Sequence, residues 1–243
     1  MKIPFILLVA TLYFQQSAWA TPRDEIGLVL EQSSLTLGSQ VKVEIATDWF
    51  KVNVPKQGYL VISKAPDWNT YFYRPDKRLY KMMTYAEVLK KSSLIGAMGA
   101  FSPTTEIKLP SKHREIHRNG RVWYEYELEN TTSKTSFLNE KMDREVIVVK
   151  DYKLIILQTN LQKQGSQILS RLNSLPCSLG IPYSLIGLRS DNSYGAALTT
   201  GKIRVQKLAM PDFASVLKYK KATKIEDILY ISSPSQMFVD LVQ

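Results

Sequence analysis

The chain has 243 residues, of which 44% are hydrophobic and 22% charged; this excludes a disordered or low-complexity protein and leaves enough apolar side chain for a sizeable core. Its one cysteine, Cys177, excludes an intrachain disulfide, and 32 basic against 22 acidic residues leave a net charge of +10. Such a charge can draw a protein to anionic lipid headgroups, acidic polymers or nucleic acid. Here it is scattered, densest at 74–81 and 218–224, and reads as a solvated basic surface or a headgroup-facing patch.

Residues 1–20 carry the clearest signal. Lys2 supplies a positive start, 3–14 form an apolar run, and Ala18-Trp19-Ala20 is the small-x-small pattern of a signal-peptidase site. The run is too short for a bilayer core, which needs about 20 residues, and no cysteine stands at the cleavage site to take a lipid. The expectation is an exported, soluble chain starting near Thr21, with 21–243 as a single domain. Export without disulfides suits a bacterial periplasm first and secretion to the medium second.

Strand signals come next. Val41, Val43 and Ile45 alternate with Lys42 and Glu44, and Phe50, Val52 and Val54 continue the period of two. Turns at 56–58, at Pro66-Asp67 and at 74–77 separate strands at 59–63, 68–73 and 78–82. This spacing predicts an antiparallel meander. Thr84 caps a short helix with Tyr85, Val88 and Leu89 on one face. The stretch 92–103 shows little periodicity.

A hairpin is predicted at 115–118 and 121–128, because Asn119-Gly120 tolerates positive φ at both turn positions. The stretch 130–140 again lacks pattern. Segments 146–149 and 154–157 are apolar on both faces and read as central strands. Leu161, Ile168, Leu172 and Leu175 mark an amphipathic helix ended by Pro176. Strands at 183–188, 196–200 and 202–208 follow. Ile225, Ile228 and Leu229 suggest a turn or two of helix, and Met237, Phe238 and Leu241 another after Pro234.

Three stretches resemble one family. Gly58-Tyr59-Leu60-Val61-Ile62-Ser63-Lys64-Ala65-Pro66-Asp67-Trp68 runs on into Tyr73-Arg74-Pro75-Asp76-Lys77-Arg78. Gly180-Ile181-Pro182-Tyr183 follows a helix and opens a strand. Met210-Pro211-Asp212-Phe213 leads through Leu217-Lys218-Tyr219-Lys220-Lys221-Ala222. In this order they resemble the LolA/LolB-like periplasmic lipoprotein carriers, although Leu217-Lys218 stands where relatives often have Pro-Gly. The resemblance implies a mainly β (α+β) fold: a curved antiparallel sheet, or incomplete barrel, with a few helices covering the open side. It places no functional residue of that family on this chain, and the same architecture serves carriers, sensors and at least one enzyme.

Residues that could carry chemistry are few. His113 and His117 are the two histidines; in a strand their spacing sets them roughly 13 Å apart, poor for a metal pair. Cys177 has no recognisable base. There is no Gly-x-Ser-x-Gly and no glycine-rich phosphate loop, and Glu125, Glu127, Glu129, Asp143 and Glu145 read as solvated faces. No catalytic residue, metal site or cofactor is therefore expected, and an enzyme is the least favoured class.

Aromatic residues crowd the first meander. In a closed sandwich they would be core; in an open curved sheet some would line a cavity for acyl chains, since each exposed CH₂ costs about 0.8 kcal/mol in water. Trp49, Tyr59 and Trp68 are the candidates for that lining. Leu94, Ile95, Met98 and Phe101 stand in a stretch that reads either as a movable cover or as a loop with packed anchors. The leading expectation is an exported protein that binds a lipid, a lipoprotein acyl chain or another apolar ligand in its concave face and approaches anionic membranes. The alternative is an envelope interaction or sensor module of the same fold without a small ligand. Nucleic acid is not an expected partner.

Overall fold

Short strands joined by tight turns pair with their chain neighbours, and this molecule follows that rule nearly throughout. The computed structural model describes residues 25–90, 109–129, 149–175, 180–189 and 194–230. A first meander comprises β1 (Glu25–Ser34), β2 (Gly38–Ile45), β3 (Trp49–Val54), β4 (Tyr59–Lys64), β5 (Asn69–Arg74) and β6 (Leu79–Met83), followed by α1 (Tyr85–Lys90). Then come β7 (Arg114–Arg118), β8 (Arg121–Glu129), β9 (Val149–Leu157), α2 (Lys163–Leu172), β10 (Ile181–Arg189) and β11 (Tyr194–Leu208). The described chain closes with α3 (Phe213–Leu217), β12 (Lys220–Lys221) and α4 (Glu226–Leu229).

The twelve strands of the described residues form one open sheet in the order β12-β6-β5-β4-β3-β2-β1-β11-β10-β9-β8-β7. Every pair is antiparallel except β12 with β6. The fold is the mainly β, antiparallel, incompletely closed class expected, with four short helices among the described residues. Among the described residues no helix is long and apolar enough to cross a membrane.

Strand alternation sorts side chains between two faces. Leu30, Val43, Val52, Val61 and Phe72 are successive cross-strand partners and form an apolar row on one face. Val88 of α1, Ile168, Leu169 and Leu172 of α2, and Ile228 and Leu229 of α4 pack on that face in one buried cluster. Burial of each such side chain contributes about 1.5–3 kcal/mol, so this half of the sheet holds the main core. The other face alternates charge with bulk: Glu44, Lys51, Ile62, Tyr71 and Met82 are its cross-strand row.

The middle of the sheet is bent. Register shifts occur in β1 between Glu31 and Gln32 and in β10 between Pro182 and Ser184 and between Leu185 and Ile186. Bulges of this kind leave backbone groups unpaired and bend a strand. Gln32, 3% exposed, takes up the slack: its Nε2 donates to Pro182 O at 2.9 Å and to Thr200 Oγ1 at 3.0 Å. Thr200 Oγ1 donates in turn to Tyr183 O at 2.7 Å.

Several elements differ from the sequence expectation. Strand β1 has no clean alternation, because Val29 is apolar on the second face and Gln32 and Ser34 are polar on the buried one. The strands expected at 196–200 and 202–208 are one strand, with Gly201 as the extra residue of the bulge opposite Glu31 and Gln32. Trp68 does not open a strand: it sits in the turn at φ +53° and is 1% exposed. Arg74 ends β5 rather than starting the turn. The Asn119-Gly120 hairpin is as expected, with φ +53° and +68°. The segments 146–148 and 237–241 and the residues Pro176 and Cys177 lie outside the described residues.

Candidate ligand-binding face

The helix-bearing face carries two apolar clusters, one on each side of the bend. Under α1, α2 and α4 the residues of β2 to β5 are buried almost completely. Beyond the bend, β8 to β11 carry a second cluster of Leu128, Leu154, Ile156, Leu185 and Leu198. Half-buried Tyr124, Tyr126 and Tyr152 join it, and Leu109 and Leu175 pack on it from outside the sheet.

Register explains the shape of this floor. Tyr126, Leu154, Leu185 and Leu198 are successive partners across four strands. The neighbouring row runs Leu128, Tyr152, Gly187 and Gly195, so two facing glycines put no side chain beside Tyr152. The result is an apolar floor edged by phenols. Burial pushes the ionisation of Tyr126 and Tyr152 upward, and Tyr124 adds to it at Tyr126; these rings are neutral donors at any physiological pH. His113, exposed, stands edge-on to Tyr124 at 4.8 Å and tilted over Tyr126 at 5.3 Å between ring centroids. It forms the rim.

A shallow pocket of about 240 Å³ opens elsewhere, between the start of β1, the end of β2 and residues 159–161. Ile26, Leu28, Ile45, Leu161 and Val205 give it an apolar lining. Its volume lies below the roughly 300–1,000 Å³ of ordinary small-molecule sites.

The residues singled out in the sequence are dispersed. Tyr59 and Trp68 lie in the main core, 0% and 1% exposed. Trp68 stacks on Phe50 with 6.4 Å between centroids and lies beneath Gly165 of α2. Trp49, 1% exposed, is on the opposite face with Val29, Ala46 and Leu208. Leu94, Ile95, Met98 and Phe101 lie outside the described residues. The floor tyrosines went unremarked as ligand candidates because Tyr124, Tyr126 and Leu128 read equally well as the buried side of any hairpin strand.

One buried charge stands out. Arg74 is 1% exposed; its Nη1 donates to Tyr230 O at 2.8 Å, its Nη2 donates to Gln57 O, and Asp76 lies 3.6 Å from its Nε. Beside it the Tyr59 hydroxyl is buried without a hydrogen-bond partner. Burial, and next the neighbouring Tyr230, push its ionisation far upward against the opposing pull of Arg74. The guanidinium is spent on backbone carbonyls, so this cluster holds chain segments together.

His117 Nε2 lies 2.8 Å from Glu115 Oε1, both on the exposed β7 strand. Among the described residues no three His, Cys, Asp or Glu side chains converge as a metal set. No protein-family model matches this chain, and no curated protein matches it. One similar solved structure is an uncharacterized conserved protein from Thermus thermophilus, 7% identical, matching over 84% of this chain and 91% of its own, with a TM-score of 0.29. That likeness is too low to speak to fold family or function.

Proposed function

We propose that this chain is an exported, soluble binding protein of the LolA-like kind that holds a lipid acyl chain or another apolar ligand against its helix-bearing face. The supporting observation is the apolar floor of β8 to β11, where buried leucines are edged by three half-buried tyrosines on the helix-bearing face. An acyl chain laid there leaves water at about 0.8 kcal/mol per CH₂, and the Tyr126 phenol, kept neutral by burial, offers a donor to a carboxyl or ester oxygen. The leader at 1–20 brings such a protein to the periplasm, where acyl chains need a carrier to cross water. The bulged, bent middle of the sheet supports the carrier-like architecture.

A second reading, an envelope interaction module, draws on exposed Ile26 and Val205 (75% and 59% exposed) beside the shallow pocket. Titration with a fluorescent fatty acid separates the two. Saturable binding is expected, weakened about tenfold or more in Tyr124→Ser/Tyr126→Ser with an unchanged far-UV circular dichroism spectrum. No binding by the folded wild-type protein, or equal binding by the variant, overturns the acyl-chain reading.

A further inference from the structure

The two densest basic stretches of the sequence meet in space at one rim of the sheet. Strand β12 lies parallel to β6, with Lys220 opposite Leu79 and Lys221 opposite Tyr80. Lys220 N donates to Arg78 O at 2.9 Å and Ala222 N to Tyr80 O at 2.7 Å. Lys81 Nζ donates to Thr223 O at 2.7 Å. This docking gathers Lys77, Arg78, Lys218, Lys220, Lys221 and Lys224, all exposed, from segments about 140 residues apart. The neighbouring carboxylates are partly committed: Asp76 to Arg74, Asp212 to the cap of α3 and Asp227 to Lys224 N.

The rim is also amphipathic. Leu217 is 52% exposed among these cations, and Tyr219 is half-buried next to it. Arg78 lies over the Tyr219 ring at 5.9 Å, while Tyr73 packs against the same ring at 6.3 Å. A surface for single-stranded nucleic acid stacks bases on open ring faces; here the ring is already engaged. Cations around an exposed leucine and a tyrosine match the headgroup boundary of a membrane, where basic side chains meet phosphates and amphipathic ones sit at the interface.

We propose that this rim, formed by the β5–β6 turn, α3 and β12, docks the protein on anionic phospholipid bilayers. It rests on the reading that the protein works at membranes, and it is tested without the fatty-acid assay, so either can fail alone. The purified protein is sedimented with vesicles of phosphatidylcholine, or of phosphatidylcholine and phosphatidylglycerol in equal parts. Binding is expected to the anionic vesicles only. Lys218→Gln/Lys220→Gln/Lys221→Gln should weaken it on the order of a hundredfold, about fivefold per lysine. Arg118→Gln/Arg121→Gln/Lys202→Gln, an equal loss of charge elsewhere, should weaken it less than about tenfold. Leu217→Ser should weaken it a few-fold. Should the triple lysine variant lose its fold by circular dichroism, Lys218→Gln/Lys224→Gln, outside β12, replaces it with an expected loss of about twenty-fivefold. Wild-type protein that ignores anionic vesicles overturns the proposal, as does equal weakening by the two charge-matched sets. Lysine-dependent capture of a DNA duplex without vesicle binding overturns it too, in favour of a soluble polyanion.

Discussion

At the scale of single residues, two glycines show how geometry outweighs propensity. A Cβ on Gly165 of α2 would stand 2.6 Å from Trp68 Cζ3 and 2.7 Å from Cη2. Alanine is the better helix former by about 1 kcal/mol, but overpacking a buried contact costs about 1–3 kcal/mol. Gly165→Ala is therefore expected to lower the melting temperature by about 2–6 °C. Gly201→Ala, where the nearest atom is Glu31 O at 3.9 Å, should leave it nearly unchanged. A scanning calorimetry trace of each variant checks both. The sequence could not separate them, since each glycine interrupts a pattern that otherwise reads as regular structure. Trp68 was legible as buried but not as a turn residue, because its positive φ is imposed by packing under α2.

At the scale of elements, the segment from Asp212 to Tyr230 behaves as a strap around one edge of the sheet. Phe213 of α3 packs edge-on to Tyr71 at 5.8 Å and Tyr219 against Tyr73, both on the face opposite the main core. β12 then pairs with β6, and Ile225, Ile228 and Leu229 enter the main core on the other face. Arg74 ties its far end through Tyr230 O. Gly58, at φ +72° and with its missing Cβ only 3.3 Å from Arg74 Nη2, lets the guanidinium reach Gln57 O as well. Arg74→Met should leave both carbonyls unpaired and lower the stability to urea by about 2–4 kcal/mol. Limited proteolysis should then cut within 212–230 before the sheet. Lysine should not rescue, since one ammonium cannot reproduce the two-pronged contact.

Hairpins and helix ends were legible at this scale because turn chemistry is local: Asn119-Gly120, Thr84 and the spacing from Leu161 to Leu175 all fell within or beside the elements they announced. Of the strap only its last helix, α4, was, through Ile225, Ile228 and Leu229. The two-residue β12 and the five-residue α3 carry no periodicity; backbone pairing with β6 and the packing of Phe213 and Tyr219 on β5 define them. Strand β1 was missed for a related reason. Gln32 and Ser34 break its apolar alternation, and their burial makes sense only against the bulges of β10 and β11.

Over the whole molecule, the phenols set an alkaline limit. Burial, then Tyr219 and Glu44, push Tyr73 up to about 12, and burial raises Tyr59, Tyr71, Tyr126 and Tyr152 as well. Between about pH 10 and 12 the unfolded chain has released phenolic protons that the folded one keeps, so unfolding is favoured as pH rises. Stability should hold up to about pH 10 and fall beyond it. Urea midpoints in that range, with tyrosinate absorbance recorded alongside, test this; a midpoint independent of pH would show the phenols to be solvent-accessible.

The sequence by itself determined the antiparallel, mainly β class, most turns and the even spread of apolar side chains, because period-two alternation and turn chemistry act over a few residues. The expectation of an export leader rests on the same kind of local pattern. Tertiary structure decided that the helix-bearing face carries two apolar clusters, where Trp49, Tyr59 and Trp68 reside, and that basic residues of the β5–β6 turn meet those of β12. These outcomes depend on register and packing between segments about 140 residues apart and more in the chain, and no local pattern encodes a partner at that distance.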